Sequence, residues 1–384
     1  MGSEVLLYGY GIVCLSMLIY NIIYNIIMKG KDRRAEKREQ ILRKKICIQI
    51  DRLKQGQAIE TGHFEYMRTK LSNVSYLIAF YHAMKNLQEE PYKEGFSEYG
   101  IRIQPTLIRL AVVYKERESM QAAYFAYVLS RLQRLENGYI DKATEEILVN
   151  YMKKDSLYCR VNALQALCNI GTPEGVFKAL RLLDLRDGVL HDKVMTDILL
   201  SYKGEHGELI GCFLKHFEEV SPRVQLPVMN YIRFCSDGCR EKFYEILIDE
   251  KRDKELRMSA IRYFGKYYYE KAKDSLIAFV KDPDPLKWEY AAAAVSALAF
   301  YDGEDVIDTL TGAVHSTNWY IRYNAAESLT AHQLDYSDLI GIVGGTDRFA
   351  REMVMYRLEE KRMEEEAVDE AKMQEGIMRQ EDAL

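Results

Sequence analysis

Three segments of the chain share one form: YCRVNALQAL at residues 158–167, ELRMSAIRYF at residues 255–264 and YIRYNAAESL at residues 320–329. In each segment an arginine precedes an alanine by three positions. With three weaker copies, the alanine position recurs at Ala163, Thr196, Leu226, Ala260, Ala294 and Ala325. The intervals are 33, 30, 34, 34 and 31 residues, with a mean of 32.4. A period of this length accommodates two short helices and two turns, so the sequence predicts stacked helical hairpins.

The residues around the recurring position explain why hairpins would stack. A small side chain lets the neighbouring helix approach closely, and the flanking Leu, Ile, Val and Phe fill the seam between hairpins. No single hairpin can bury both of its faces, so such an array is stable only as a stack. The chain has only 7 prolines and 23 glycines, which also favours helix. The predicted fold class is all-α.

These segments resemble HEAT repeats, particularly the short bacterial type that also occurs as PBS-lyase-type repeats. The best match runs from Arg160 to Leu183, with GTPE at residues 171–174 between its two helices. Thr196 and Leu226 depart from the pattern because they replace the small residue. The resemblance extends over residues 118–343, and it implies a right-handed α-solenoid of HEAT-like hairpins.

An apolar segment precedes these repeats. Residues Val5 to Met28 form a run of 24 residues without a charge, long enough at about 1.5 Å per residue to cross a hydrocarbon core of about 30 Å. The leader MGSE has no basic residue, and no small-residue cleavage site follows the run. The sequence therefore predicts an uncleaved transmembrane helix rather than a signal peptide.

Five regions follow from these patterns. They are a transmembrane anchor, a basic juxtamembrane linker helix, an N-terminal helical cap, the HEAT-like repeats, and a C-terminal capping helix with an acidic tail. Their predicted bounds are residues 1–30, 31–61, 62–117, 118–346 and 347–384. Phe349, Met353, Tyr356 and Met363 are expected to form the face that covers the last repeat, because a terminal repeat needs such a lid.

Charge is distributed unevenly along the chain. The stretch from Lys29 to Lys45 holds nine Lys or Arg against three acids, whereas Ile46 to Leu384 carries a net charge of −10. Basic residues beside a span stay in the cytoplasm, so we expect an external N-terminus, a cytoplasmic body and a bacterial plasma membrane location. The basic stretch is expected to attract anionic lipid. The acidic body argues against nucleic acid as a partner.

Two amides lie inside the apolar run. Asn21 and Asn25 are one helical turn apart, so both could hydrogen-bond a neighbouring transmembrane helix, including a second copy of this chain. The alternative is that they sit at the cytoplasmic headgroups with Tyr20 and Tyr24.

Motifs for catalysis or metal binding are not recognisable in the sequence. The seven cysteines include no CxxC pair, and Cys235 and Cys239 have no nearby residues to complete a zinc site. No HExxH, GxSxG or GxxxxGK[ST] motif occurs. We therefore expect no catalytic residue, cofactor or metal, and a protein that is not an enzyme.

Aromatic residues are the candidates for partner binding, because Tyr and Trp are favoured anchors at protein interfaces. The sequence singles out Tyr267, Tyr268, Tyr269, Trp319 and Tyr320. The alternative for the tryptophans is a packing role, since Trp288 and Trp319 are 31 residues apart and so occupy equivalent positions.

The HEAT-like resemblance implies a scaffold whose surface along the second helices binds proteins. With the anchor, the expected partners are membrane-associated proteins, for example a glycosyltransferase that makes surface polysaccharide. HEAT-like repeats also occur in lyases and DNA glycosylases, so an enzyme is the alternative. A third hypothesis is a signalling adaptor that self-associates through Asn21 and Asn25.

Overall fold

The structure is a computed structural model, and it describes residues 2–87, 93–132, 142–185 and 190–381. Every regular element in these ranges is a helix. The chain divides into two compact units, Met1–Val220 and Ser221–Leu384. The predicted repeat region includes residues 133–141 and 186–189, and the predicted tail includes residues 382–384; all of these lie outside the described residues.

The described part of the first unit contains ten α-helices. They are α1 (Gly2–Lys54), α2 (Thr61–Leu71), α3 (Val74–Leu87), α4 (Lys93–Lys115), α5 (Ser119–Leu132), α6 (Lys142–Tyr151), α7 (Leu157–Ile170), α8 (Pro173–Asp184), α9 (Asp192–Leu200) and α10 (His206–Lys215). A 3₁₀ helix follows at Phe217–Glu219. Odd-numbered helices pack on one another in chain order, and so do even-numbered helices. The unit is therefore a two-layered stack of helix pairs.

The first helix has two different halves. Leu42, Ile46, Ile50 and Leu53 recur at three- or four-residue spacing and are buried, because this half of α1 packs on α3 and α4. The other half, by contrast, exposes its apolar side chains from Ile12 to Ile27. One continuous helix thus joins the packed stack to an uncovered apolar surface.

The start of α8 is fixed by a carboxylate from the preceding pair. Thr172 caps the helix by accepting a hydrogen bond from the Gly175 nitrogen at 3.1 Å, and Pro173 occupies its first turn. Glu145 on α6 is buried, and its carboxylate accepts from the Thr172 nitrogen at 2.6 Å and the Thr172 hydroxyl at 3.1 Å. A negative charge at a helix N-terminus is favourable. This contact therefore locks successive pairs together.

The described part of the second unit contains nine α-helices. They are α11 (Pro222–Cys235), α12 (Arg240–Ile248), α13 (Lys254–Phe264), α14 (Lys273–Lys281), α15 (Trp288–Leu298), α16 (Glu304–Ala313), α17 (Trp319–Ala331), α18 (Ile340–Val343) and α19 (Arg348–Glu381). Short 3₁₀ helices lie at Glu270–Ala272 and Pro285–Lys287. The first helices α11, α13, α15 and α17 stack in that order, and α19 packs on α17.

The recurring alanines lie where the sequence analysis expects a close helix contact. Ala260, Ala294 and Ala325 are fully buried in their first helices. Leu226 was the wrong equivalent in α11, because it is only half-buried whereas Val228 is 3% exposed. Ala260, Ala294 and Ala325 are each six residues after the first residue of their helix, and in α11, which begins at Pro222, that position is Val228.

The packing face of the terminal helix also differs from the prediction. Phe349, Tyr356 and Met363 are 65%, 56% and 66% exposed, and Met353 is half-buried, so these residues are not the buried face of α19. Phe349 contacts the last repeat through Arg322, which lies over its ring. Ala350, Val354 and Leu358 are the buried residues of α19. They lie four positions apart on one helical stripe, and Ala350 lets α19 approach its neighbours closely.

Tyrosine hydroxyls join successive helix pairs within each unit. In the first unit Tyr114 donates to the Leu71 carbonyl at 2.8 Å and Tyr151 to the Ala111 carbonyl at 2.9 Å. In the second unit Tyr301 donates to the carbonyl of Phe264 at 3.4 Å. Carbonyls in the last turn of a helix lack intrahelical partners. Burial raises the pKa of Tyr301 to about 12, so its hydroxyl keeps the proton that it donates.

Candidate functional site

The candidate site is an open groove on the second unit, across the outward face of α15. Its cavity volume is about 540 Å³, within the range of about 300–1,000 Å³ that is common for ligand pockets. Thirteen residues line it: Arg233, Met258, Arg262, Gly265, Trp288, Glu289, Ala292, Ala293, Ser296, Ala297, Phe300, Tyr320 and Asn324. We call it the α15 groove.

Small residues form the floor of the α15 groove. Ala292, Ala293, Ser296 and Ala297 are contributed by α15 itself. Gly265, at the end of α13, passes so close to α15 that an added Cβ would lie 3.2 Å from the Ala297 Cα. The floor is therefore shallow enough for a bound main chain to approach the helices.

Aromatic side chains stand at both ends of α15. Trp288 begins the helix and stacks on Tyr320 of α17, with ring centroids 5.4 Å apart and planes 23° apart. Phe300 follows the other end and is 62% exposed. Exposed aromatic side chains flanking a concave surface are typical of a protein-binding site.

Two arginines provide the charge of the α15 groove. Arg233 comes from α11 and Arg262 from α13, and both line the groove. Burial, together with the nearby Arg262 charge, lowers the pKa of Arg233 below its usual range. The acidic lining residue Glu289 is neutralised by an ion pair with Lys254. The local balance of charge is therefore positive.

Two of the sequence-predicted aromatics lie in or beside this groove. Tyr320 lines the groove and is 56% exposed. Tyr267 is half-buried, and its hydroxyl donates to the Arg233 carbonyl at 3.0 Å. Lys266 donates to the same carbonyl at 3.2 Å and lies over the Tyr267 ring. Tyr267 thus supports the groove rather than facing it.

Tyr268 and Tyr269 contact residues outside the α15 groove. The Tyr268 ring packs on Tyr301, with centroids 5.0 Å apart. Tyr269 donates to the Glu241 carboxylate at 2.5 Å and packs edge-on against Tyr244. The three consecutive tyrosines therefore have different surroundings and do not form one patch.

The two equivalent tryptophans also have different surroundings. Trp288 is half-buried under Tyr320, whereas Trp319 is 50% exposed and stacks on Tyr323 at 5.0 Å. A repeat follows α15, but the terminal helix α19 follows α17. Among the described residues α19 packs on α17 and leaves Trp319 half exposed, whereas Tyr320 of α17 covers Trp288, so the two tryptophans are not packed alike.

The predicted transmembrane contacts and lipid-binding residues lie on α1. Asn21 and Asn25 are exposed, and the Asn25 side chain donates to the Asn21 carbonyl at 2.8 Å. Eight of the nine basic residues between Lys29 and Lys45 are exposed. The ninth, Arg38, lies over the Tyr76 ring. The basic surface next to the apolar half of α1 is thus open.

Six of the seven cysteines are buried or half-buried, and Cys14 is exposed on the apolar half of α1. All seven are free thiols, and burial raises the pKa of Cys159 to about 11 and also raises that of Cys235 and Cys239. A thiol held protonated is a poor nucleophile. Within the described ranges, no three His, Cys, Asp or Glu residues are arranged to hold a metal ion.

Sequence reasoning missed Arg233, Arg262 and Phe300. One signal was available: Arg262 has no acidic residue three or four positions away on its helix, so it lacks the usual local ion-pair partner. Finding the groove, however, required knowing which first helices are adjacent.

A buried histidine gives the first unit a specific pH dependence. His63 is 6% exposed and shares a 2.8 Å hydrogen bond with the Tyr99 hydroxyl. Burial, with help from the Lys45 charge, lowers the pKa of His63 to about 4, while Glu60 opposes the shift. Below its usual pKa of about 6.5, the unfolded chain binds a proton that the folded chain does not. Stability should therefore fall as the pH drops, by about 2 kcal/mol at pH 5.

The measurement is thermal unfolding of the detergent-solubilised full chain between pH 7.5 and pH 5. His63→Gln should show a smaller acid-induced loss than the unsubstituted chain. His82→Gln is the matched control, because His82 is also in the first unit but is exposed. Identical pH profiles for the unsubstituted chain and His63→Gln would contradict the assignment.

Comparison with known proteins agrees with this architecture. Residues 240–330, from α12 into α17, match the family of HEAT repeats. Together with the all-helical described residues, this match supports a HEAT-like repeat protein. No curated protein sequence matches the chain.

Two solved structures are similar at low identity. Human deoxyhypusine hydroxylase in complex with glycerol is 17% identical, with a TM-score of 0.27, over 78% of this chain and 95% of that one. An engineered protein is 12% identical, with a TM-score of 0.33, over 85% of this chain and 95% of that one. Both similarities are too distant to assign an activity.

Proposed function

We propose that the chain is a membrane-anchored cytoplasmic scaffold that binds protein partners. The observation that carries the proposal is the uncovered half of α1. This helix is long and apolar enough to cross a membrane, with a mean hydropathy of 1.7 over an 18-residue window of which 0% is buried. Its other half is part of the packed first unit. Insertion of the apolar half would hold the repeats beside the bilayer.

The charge beside the apolar half supports a cytoplasmic body. The exposed basic residues between Lys29 and Lys45 directly follow it, and such residues favour the cytoplasmic side. They would also contact anionic lipid, at about 1 kcal/mol for each residue near the surface. Asn21 and Asn25 remain available in this proposal for contact with a second transmembrane helix.

Binding, rather than catalysis, is the proposed activity. Within each unit the first helices stack in chain order, as the predicted right-handed α-solenoid would require, and stacked repeats offer extended binding surfaces. The α15 groove adds exposed aromatic and arginine side chains, which are enriched at protein interfaces. A tether in the membrane raises the local concentration of such a surface near membrane proteins. Membrane-associated proteins are thus the proposed partners.

Site-specific photocrosslinking in intact cells tests this proposal. A photoreactive phenylalanine replaces Tyr320 in the α15 groove or Tyr356 on α19; both tyrosines are 56% exposed. We expect a discrete protein adduct in the membrane fraction from position 320 and none from position 356. The proposal fails if position 320 gives no adduct, or if both positions give the same adducts.

A further inference from the structure

The α15 groove contains two arginines without ionic partners. In the part of the chain that the structure describes, neither Arg233 nor Arg262 forms an ion pair with a carboxylate. Other arginines of the same unit do: Arg240 pairs with Asp237 at 2.7 Å and Arg357 with Glu327 at 2.8 Å. Among the described residues, Arg257, Arg322 and Arg351 also lack a carboxylate partner, but their guanidinium groups donate to main-chain carbonyls. What distinguishes Arg233 and Arg262 is that both line one groove.

The surroundings of Arg233 make this arrangement unfavourable without a ligand. Arg233 is half-buried, and its Nε lacks a hydrogen-bond partner among the described residues, as do those of Arg240 and Arg357. The neighbouring Arg262 repels it, which contributes to the lowered pKa of Arg233. Lys266, bonded to the Arg233 carbonyl, adds a further positive charge nearby. A bound carboxylate would relieve the repulsion and satisfy the guanidinium groups.

The remainder of the groove fits an apolar side chain beside that carboxylate. Trp288, Tyr320 and Phe300 provide aromatic surface at the two ends of α15. Ala293 and Ser296 have small side chains, so they leave space on the floor of the groove between these aromatic rings. A peptide that alternates acidic and apolar residues could thus place carboxylates on the arginines and apolar groups on the rings.

We propose that the α15 groove binds an acidic peptide segment of a protein partner, with its carboxylates on Arg233 and Arg262 and an apolar side chain against Trp288 or Phe300. This inference rests on the proposed scaffold function and names the chemistry of the partner. Guanidinium groups bind carboxylates through paired hydrogen bonds. Nucleic acid is disfavoured because the body of the chain is acidic.

The test uses the detergent-solubilised full chain and fluorescent nine-residue peptides in which phenylalanine alternates with glutamate, glutamine or lysine. We expect the glutamate peptide to bind most tightly and its affinity to fall as salt is added. Arg262→Glu should weaken its binding at least tenfold, and Tyr320→Ala should weaken it as well. Both residues are exposed, so both variants should fold.

Arg223→Glu is the matched control. Arg223 is also exposed and on α11, but it lies ten residues before Arg233 and does not line the groove. Ten helical residues correspond to about 15 Å. The control should bind the glutamate peptide as the unsubstituted chain does.

Three results would overturn the inference. They are equal binding of glutamate and glutamine peptides, equal loss in Arg223→Glu and Arg262→Glu, and tighter binding of a nine-residue deoxythymidine oligonucleotide. Photocrosslinking from position 320 is independent of these peptides. Failure of peptide binding with successful crosslinking would reject the acidic ligand alone, whereas failure of crosslinking would reject the scaffold function.

Discussion

The double substitution Ile19→Arg and Ile23→Arg is expected to move the chain from the membrane fraction to the soluble fraction. Both isoleucines lie in the apolar half of α1 and are about half exposed, at 49% and 52%. Arginine within a membrane helix is unfavourable, most of all at its centre, and the lost isoleucines had favoured insertion. Together the two changes raise the free energy of insertion by at most about 6–8 kcal/mol, the value for two positions at the centre.

The readout is flotation of cell lysates with a membrane marker, followed by circular dichroism of the released chain. The matched control is Ile48→Arg with Val112→Arg, at side chains that are 47% and 51% exposed in the packed part of the first unit. This control should stay with the membranes. Release of the control as well would mean that added charge, rather than loss of insertion, moves the chain.

Gly175→Ala is expected to destabilise the first unit by about 1–3 kcal/mol. An added Cβ would lie 2.4 Å from the Glu145 carboxyl carbon. The carboxylate would have to move away from the Thr172 nitrogen and hydroxyl, to which it is bonded. A buried carboxylate that loses its hydrogen bonds is costly.

Gly211→Ala provides the control for Gly175→Ala. Gly211 lies inside α10, is exposed and has no atom within 4 Å of an added Cβ. Alanine there should stabilise the helix by about 0.5–1 kcal/mol. Thermal unfolding of the full chain in detergent measures both variants. A Gly175→Ala chain as stable as Gly211→Ala would show that Glu145 does not lock α8 in place.

The repeat could be predicted from the sequence because the residue pattern that marks it lies within a single helix. An arginine three residues before a small residue marks the first helix, and Ala163, Ala260 and Ala325 are buried as that pattern predicts. The all-helical prediction is confirmed for the described residues, and residues 240–330 match HEAT repeats. The assignment of Leu226 to the recurring position was wrong because α11 has several apolar residues. The first residue of the helix, Pro222, determines which of them face inward.

The terminal helix α19 is a second case in which the sequence does not determine which face of a helix is buried. Its two apolar stripes, Phe349 with Tyr356 and Ala350 with Val354, are only one residue apart. Hydrophobicity favours the aromatic stripe, yet the small residues are buried because α19 lies close to its neighbours. Sequence periodicity locates such a helix but does not choose between adjacent stripes.

The candidate site was predictable only in part. Tyr320 was found because aromatic residues are common interface anchors. Arg233 and Arg262 are 29 residues apart in sequence, and their shared groove depends on the stacking of α11, α13 and α15. Whether an arginine has a carboxylate partner is a property of that packing, which composition does not reveal.

Alkaline carbonate extraction of membranes that hold the unsubstituted chain tests the central claim most directly. We expect the chain to stay in the membrane pellet and to be released only by detergent, because the apolar half of α1 is inserted in the membrane. Recovery of the folded chain in the supernatant, either before or after the alkaline wash, would contradict it.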